Sequence, residues 1–125
     1  MIRIMLVDDN RVALEYFSTL VNWEKLGYEL VCTAIDGASA LILFQKYHPE
    51  VIITDVQMPN MDGISLTREV MKIAPDTVMV FLSSYAEFSY IQSAMRFGVV
   101  DYILKHEMKA PELTKNQRTP EKEKR

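Results

Sequence analysis

The sequence predicts an α/β fold built on one doubly wound parallel sheet. Three observations carry that expectation. Short continuous apolar runs recur five times along the 125 residues. Amphipathic stretches of helical spacing separate them. Glycine and proline punctuate the joins. Strands that are apolar on both faces need cover on both sides, which a parallel sheet between two helix layers provides. Right-handed crossovers then wind the chain to and fro across the sheet.

The elements follow in order. Ile2 to Val7 reads as a buried strand. Asn10 is placed to cap a helix whose inward face is expected to hold Val12, Ala13, Tyr16, Phe17 and Leu20. Gly27 ends that region, and Tyr28 to Ile35 is the second strand. Gly37 opens a helix with Ala40, Leu41, Phe44 and Tyr47 turned inward, and Pro49 stops it. Val51 to Thr54 is a short buried strand. A loop through Met58, Pro59 and Gly63 leads to a helix bearing Leu66, Val70 and Ile73, ended by Pro75. Val78 to Leu82 is the fourth strand. A helix with Phe88, Ile91 and Met95 on one face closes at Gly98, and Val99 to Leu104 is the fifth strand. The expected architecture is a flavodoxin-like five-stranded parallel sheet in order 2-1-3-4-5 with helices on both faces.

Composition limits the function classes. Hydrophobic residues make up 49% and charged residues 25%, which suits one globular domain with one core. No apolar run reaches the length of a membrane span. Met1-Ile2-Arg3-Ile4 starts directly on a strand-like pattern, with no signal peptide before it. The single cysteine, Cys32, excludes an internal disulfide and reads as a buried, inert thiol. Together these features point to the cytoplasm and away from a membrane. The net charge of −3 is uneven: Lys115 to Arg125 carries +3, so the body carries −6. An acidic body argues against direct binding to DNA.

The chemistry lies at the strand ends. Asp8 and Asp9 follow the first strand and Asp55 follows the third. In a doubly wound sheet those ends are neighbours on the ligand-binding edge. Two unit charges about 4 Å apart repel by roughly 4 kcal/mol at an effective dielectric of ~20. A hard divalent cation among the carboxylates offsets that repulsion, and magnesium suits an open oxygen-lined site. Taken alone, Asp8-Asp9 reads more readily as a turn and helix cap. That alternative weakens because Asp55, Ser83 and Lys105 each close an apolar run at the same edge. An acid, a metal and a cation together suit phosphoryl transfer to a carboxylate, with a hydroxyl and an ammonium holding the transferred group.

These residues also carry a resemblance. Leu6-Val7-Asp8-Asp9, the block Thr54-Asp55-Val56-Gln57-Met58-Pro59-Asn60-Met61-Asp62-Gly63, Leu82-Ser83-Ser84-Tyr85 and Asp101-Tyr102-Ile103-Leu104-Lys105 stand as they do in response-regulator receiver domains. The chain resembles that family from about Ile2 to Lys105. The resemblance implies that Asp55 is the phosphoacceptor. It implies that Asp9, Asp55 and the backbone carbonyl of Gln57 ligate Mg2+ directly, with Asp8 contacting it through water. Ser83 is then the hydroxyl that turns toward the phosphoryl group, Tyr102 the aromatic that swings inward with it, and Lys105 the phosphate-pairing cation. The implied donor is a phosphohistidine on a sensor histidine kinase. Asn22-Trp23-Glu24-Lys25-Leu26-Gly27-Tyr28 and Ser84-Tyr85-Ala86-Glu87-Phe88 resemble receivers joined to AraC-type helix-turn-helix DNA-binding domains. For Trp23, a packing role at a helix end remains an equal alternative.

Two departures keep other classes open. His106 follows Lys105 where the family usually has proline, and a cis bond before a non-proline residue costs about 2.5–4 kcal/mol. The fifth helix is weakly written, since after Lys105 only Met108, Ala110 and Leu113 can face a core and Pro111 fits only a first turn. Residues 1–114 are therefore expected to form the domain. Residues 115–125 are expected to be a charged tail or the start of a linker to an output domain outside this sequence. DNA contact is expected only through that domain, and self-association through the surface of the fourth helix and fifth strand. A phosphorylation-independent interaction module is the alternative from another class. A metal-dependent phosphatase is a third, but the sequence offers no second acid/base beside Asp55 apart from the Asp pair. His48 and His106 read as surface residues.

Overall fold

The computed structural model describes residues 1–83 and 99–104, with Ser83 and residues 99–104 described as backbone only. The strands are β1 (Ile2–Val7), β2 (Tyr28–Ala34), β3 (Val51–Asp55), β4 (Val78–Ser83) and β5 (Val99–Leu104). Among the described residues the helices are α1 (Arg11–Leu20), α2 (Gly37–Tyr47) and α3 (Gly63–Ile73), with a single 3-10 turn at Glu24–Leu26. The sheet runs β2-β1-β3-β4-β5, and every neighbouring pair is parallel. This is the expected order. The fourth helix with Phe88, Ile91 and Met95, the short fifth helix, the tail and the Lys105–His106 peptide lie outside the described residues.

Two cores form because successive strand side chains point to opposite faces. Ile4, Leu6, Val51, Ile53, Val80 and Leu82 pack on one side with Leu14 and Phe17 of α1. Met5, Val7, Ile52, Met79 and Phe81 pack on the other with Ala40 and Phe44 of α2 and Leu66 and Val70 of α3. The central strands are mostly apolar on both sides because both faces are covered, with Thr54 and Asp55 as the buried polar exceptions at the end of β3.

Helix ends carry their own signals. Asn10 caps α1 by accepting from the N–H groups of Val12 at 3.0 Å and Ala13 at 3.1 Å. Asp36 caps α2 through Ser39 N–H at 2.7 Å, and Asp62 caps α3 through Ser65 N–H at 2.8 Å. Gly27 closes the 3-10 turn at φ 86°, a left-handed conformation that costs glycine little. Trp23 takes the packing role. It is buried, its Nε1 donates to the Ser18 carbonyl at 3.1 Å, and its ring stands edge-on to Tyr28 at 6.4 Å between centroids.

The inward face of α1 differs from expectation. Leu14 and Phe17 are buried, Ala13 and Leu20 are half-buried, and Val12 and Tyr16 are 78% and 54% exposed. At about 100° per residue, Val12 stands some 200° around the helix from Leu14, so the two cannot share a buried stripe. Leu14, Phe17 and Val21 form that stripe instead. Tyr47 and Ile73, each in the last turn of its helix and expected to face inward, are likewise exposed, at 39% and 49%. Cys32 is half-buried, not fully buried as expected, since β2 is an edge strand, and that burial pushes its thiol above the ordinary cysteine range. His48 is exposed, as expected, and caps α2 in a left-handed conformation.

The corrected face has a direct consequence. Leu14→Ala is expected to destabilise the domain by about 2–5 kcal/mol in urea unfolding. Val12→Ala is expected to stay within about 0.5 kcal/mol of wild type. Equal effects at both positions would contradict the assignment of the buried stripe.

Candidate phosphoacceptor site

The sheet register builds the site. Val7 pairs with Thr54 across β1 and β3, so Asp8 and Asp55, each one residue further, leave adjacent strands side by side. The carboxylates of Asp8, Asp9 and Asp55 each place an oxygen within 4.8 Å of the others. Asp8 is 1% exposed and Asp55 is 3% exposed, whereas Asp9 faces solvent.

Local bonds fix both buried acids. Asp8 N–H donates to the Ala34 carbonyl at 3.1 Å, and Asp8 Oδ1 accepts from Asn10 N–H at 2.9 Å. Asp55 Oδ1 accepts from Val56 N–H at 2.8 Å. The Thr54 hydroxyl donates to the Asp55 carbonyl at 3.0 Å. The helix cap belongs to Asn10 and not to either aspartate. The turn-and-cap explanation of the Asp pair thus covers the bond from Asn10 N–H to Asp8 but not the helix cap.

Burying carboxylates together is costly unless a countercharge is present. The donor set is all oxygen, partly open through Asp9, and of the hard type that magnesium prefers. The residues therefore fit a divalent cation. Gln57, two residues past Asp55, is exposed at the start of the following loop.

That loop returns tightly past Asp55. Gly63 N–H donates to the Val56 carbonyl at 2.7 Å. A Cβ on Gly63 would lie 2.3 Å from the Asp55 carbonyl oxygen, so only glycine lets α3 start there. In the sequence Gly63 stands in the loop and closes the block that carries the family resemblance, with no close approach implied. A glycine directly after the Asp62 cap was the signal available for a close approach.

The other expected residues fall around this centre as follows. Asp55 pairs with Leu82, and Ser83 is the next residue along β4, so its backbone sits one step further out on the same edge. Leu82 pairs with Ile103, which puts the Tyr102 backbone one step short of the Asp55 level on the neighbouring strand. Lys105 lies outside the described residues.

Residues 4–117 match the family model for the response regulator receiver domain. The chain belongs to that family. The receiver is 38% identical over 105 residues to YesN of Bacillus subtilis, an uncharacterized transcriptional regulatory protein, covering 84% of this chain and 28% of that protein. It is 33% identical over 105 residues to the transcriptional regulatory protein HptR of Staphylococcus aureus, covering 84% of this chain and 41% of that one. The receiver thus spans less than half the length of these relatives. Among solved structures, it matches the receiver domain of AraT, a response regulator from Geobacillus stearothermophilus. The TM-score is 0.85 at 30% identity, over 98% of this chain and 95% of that one. A two component transcriptional regulator AraC from Clostridium phytofermentans gives 0.86 at 30% identity, over 97% and 94%. The last likeness agrees with the AraC-type resemblance read in the sequence. Among the described residues, no helix is long and apolar enough to cross a membrane.

The tight return of the loop is open to test. Gly63→Ala is expected to lose about 1–3 kcal/mol of stability, the usual cost of overpacking a close-packed site. Chemical denaturation measures it, and an unchanged midpoint would contradict the close approach to Asp55.

Proposed function

We propose that this receiver accepts a phosphoryl group on Asp55 from a phosphohistidine of a sensor histidine kinase. The observation that supports this best is the convergence of Asp8, Asp9 and Asp55 at the ends of β1 and β3. An Asp55 carboxylate oxygen attacks phosphorus, the phosphorus–nitrogen bond to the donor imidazole breaks, and the imidazole leaves with its electron pair. Asp9, Asp55 and the Gln57 backbone carbonyl are the proposed direct ligands of Mg2+, and Asp8 the ligand through water. Bound Mg2+ supplies positive charge that offsets the negative charge of the transferring group.

Ser83 and Lys105 are assigned to the phosphoryl oxygens, as hydroxyl donor and cation. Tyr102 is assigned to the switch, moving inward as Ser83 turns. The new charge on Asp55 then biases a two-state surface formed by the fourth helix and β5, the same surface proposed for pairing with a second copy. Output passes to a DNA-binding domain outside this chain. Its relatives YesN and HptR are named transcriptional regulatory proteins, which supports that output. No external substrate is turned over; the acyl phosphate is lost by hydrolysis. The working compartment is the cytoplasm, where a kinase's phosphohistidine is available.

Intact-mass spectrometry after exposure to a small-molecule phosphodonor tests this. Wild type is expected to gain one phosphoryl group only with Mg2+ present, Asp55→Asn to gain none, and Asp9→Ala to lose the Mg2+ requirement's benefit by losing metal affinity. Phosphate on the same peptide in Asp55→Asn, or Mg2+-independent modification of wild type, would refute the assignment.

A further inference from the structure

The loop from Val56 to Asp62 is held at two places. Its base is closed by the Gly63–Val56 hydrogen bond described above. Its far side docks, backbone to backbone, on the turn that precedes α2. Gly37 N–H donates to the Met61 carbonyl at 3.0 Å, and Ala38 N–H donates to the Asn60 carbonyl at 2.8 Å. Asn60 Nδ2 donates to Asp36 Oδ2 at 3.3 Å. The other Asp36 oxygen accepts from Ser39 N–H, and this bond to the charged form holds the Asp36 carboxyl below the usual carboxylate range.

The docking is specific in three ways. A Cβ on Gly37 would lie 2.1 Å from the Met61 carbonyl oxygen and 2.8 Å from its carbonyl carbon, so any other residue pushes the loop away. Asn60 at φ 52° and Met61 at φ 91° are both left-handed. Asparagine tolerates that conformation, and methionine adopts it only when its surroundings impose it. Finally, the Asp36–Ser39 bond alone suffices to cap α2. The Asn60 contact is surplus to capping and acts on the loop.

Resting on the phosphoacceptor assignment above, we propose that Asp36, Gly37 and Asn60 are positioning residues for the acceptor loop. They fix its path between Asp55 and α3, and through it the place of the Gln57 carbonyl in the cation site. None of the three touches the reacting atoms. They act as the partners that orient a metal ligand, whose removal commonly weakens metal affinity by about 10–100-fold.

The test compares Mg2+ affinity, by calorimetric titration of the whole chain, with urea stability in chelator. Asp36→Ser keeps a cap for Ser39 N–H but cannot reach Asn60. Asn60→Gly keeps the left-handed backbone but removes the Nδ2 donor. Both are expected to lose about tenfold in Mg2+ affinity with urea midpoints near wild type. Both should also show faster amide hydrogen exchange at Gly37 and Ala38. Asp36→Asn keeps an oxygen for Ser39 N–H and, with the Asn60 amide turned over, can donate its own Nδ2–H to Asn60 Oδ1, so it is expected to bind within about twofold of wild type. Gly37→Ala is expected to be the weakest binder that still folds. Wild-type Mg2+ affinity in both Asp36→Ser and Asn60→Gly would overturn the positioning role alone. A wild-type chain that binds no Mg2+ would overturn the site assignment, and the positioning role with it.

Discussion

Three carboxylates confined within 4.8 Å of one another, two of them buried, set the terms for everything around them. Each pair at that separation repels by roughly 3–4 kcal/mol at an effective dielectric of ~20. The fold cannot relieve this by moving the acids apart. Asp8 and Asp55 leave neighbouring parallel strands at one level, and the Val7–Thr54 register is fixed by apolar side chains on both faces. A divalent cation among these oxygens would offset the repulsion. The same strand ends that hold the acids in place define where such a cation would sit.

The surrounding architecture keeps that pocket in shape without occupying it. Asn10 takes over the capping of α1, so neither Asp8 nor Asp9 serves as its cap. Gly63 lets α3 begin against the Asp55 carbonyl, so the loop beyond Asp55 is short and returns at once. Gly37 and Asp36 brace the same loop from the β2 side of the molecule. The two glycines beside this loop lose more conformational freedom on folding than other residues would. The core on either side of β1 and β3 has to offset that cost.

Most of the fold was legible because continuous apolar strands and helical spacing are strong signals. The five strands fall within one residue of expectation at each end: β3 runs on to Asp55, β4 to Ser83, and β2 stops at Ala34. The α1 face was misjudged because Val12 and Tyr16 are apolar enough to be read as core, and only the position of Leu14 over the sheet decides between two overlapping stripes. At the site, Asp8, Asp9 and Asp55 were legible because polar residues ending core strands are unusual. The bracing by Asp36 and Gly37 was not legible. It depends on contact between residues more than twenty positions apart, and no local pattern encodes the distance from Gly37 to Met61.

The carboxylate cluster is expected to destabilise the fold by itself and to stabilise it once a cation is bound. Thermal unfolding of wild type and Asp9→Asn, each in chelator and in saturating Mg2+, tests it most directly. Neutralising Asp9 removes repulsion but also a ligand. In chelator Asp9→Asn is expected to melt above wild type. In Mg2+ the order is expected to reverse, with wild type gaining about 2.7 kcal/mol at a hundredfold excess over its dissociation constant. An Asp9→Asn protein that melts below wild type in chelator, or a wild type whose melting temperature ignores Mg2+, would contradict the account.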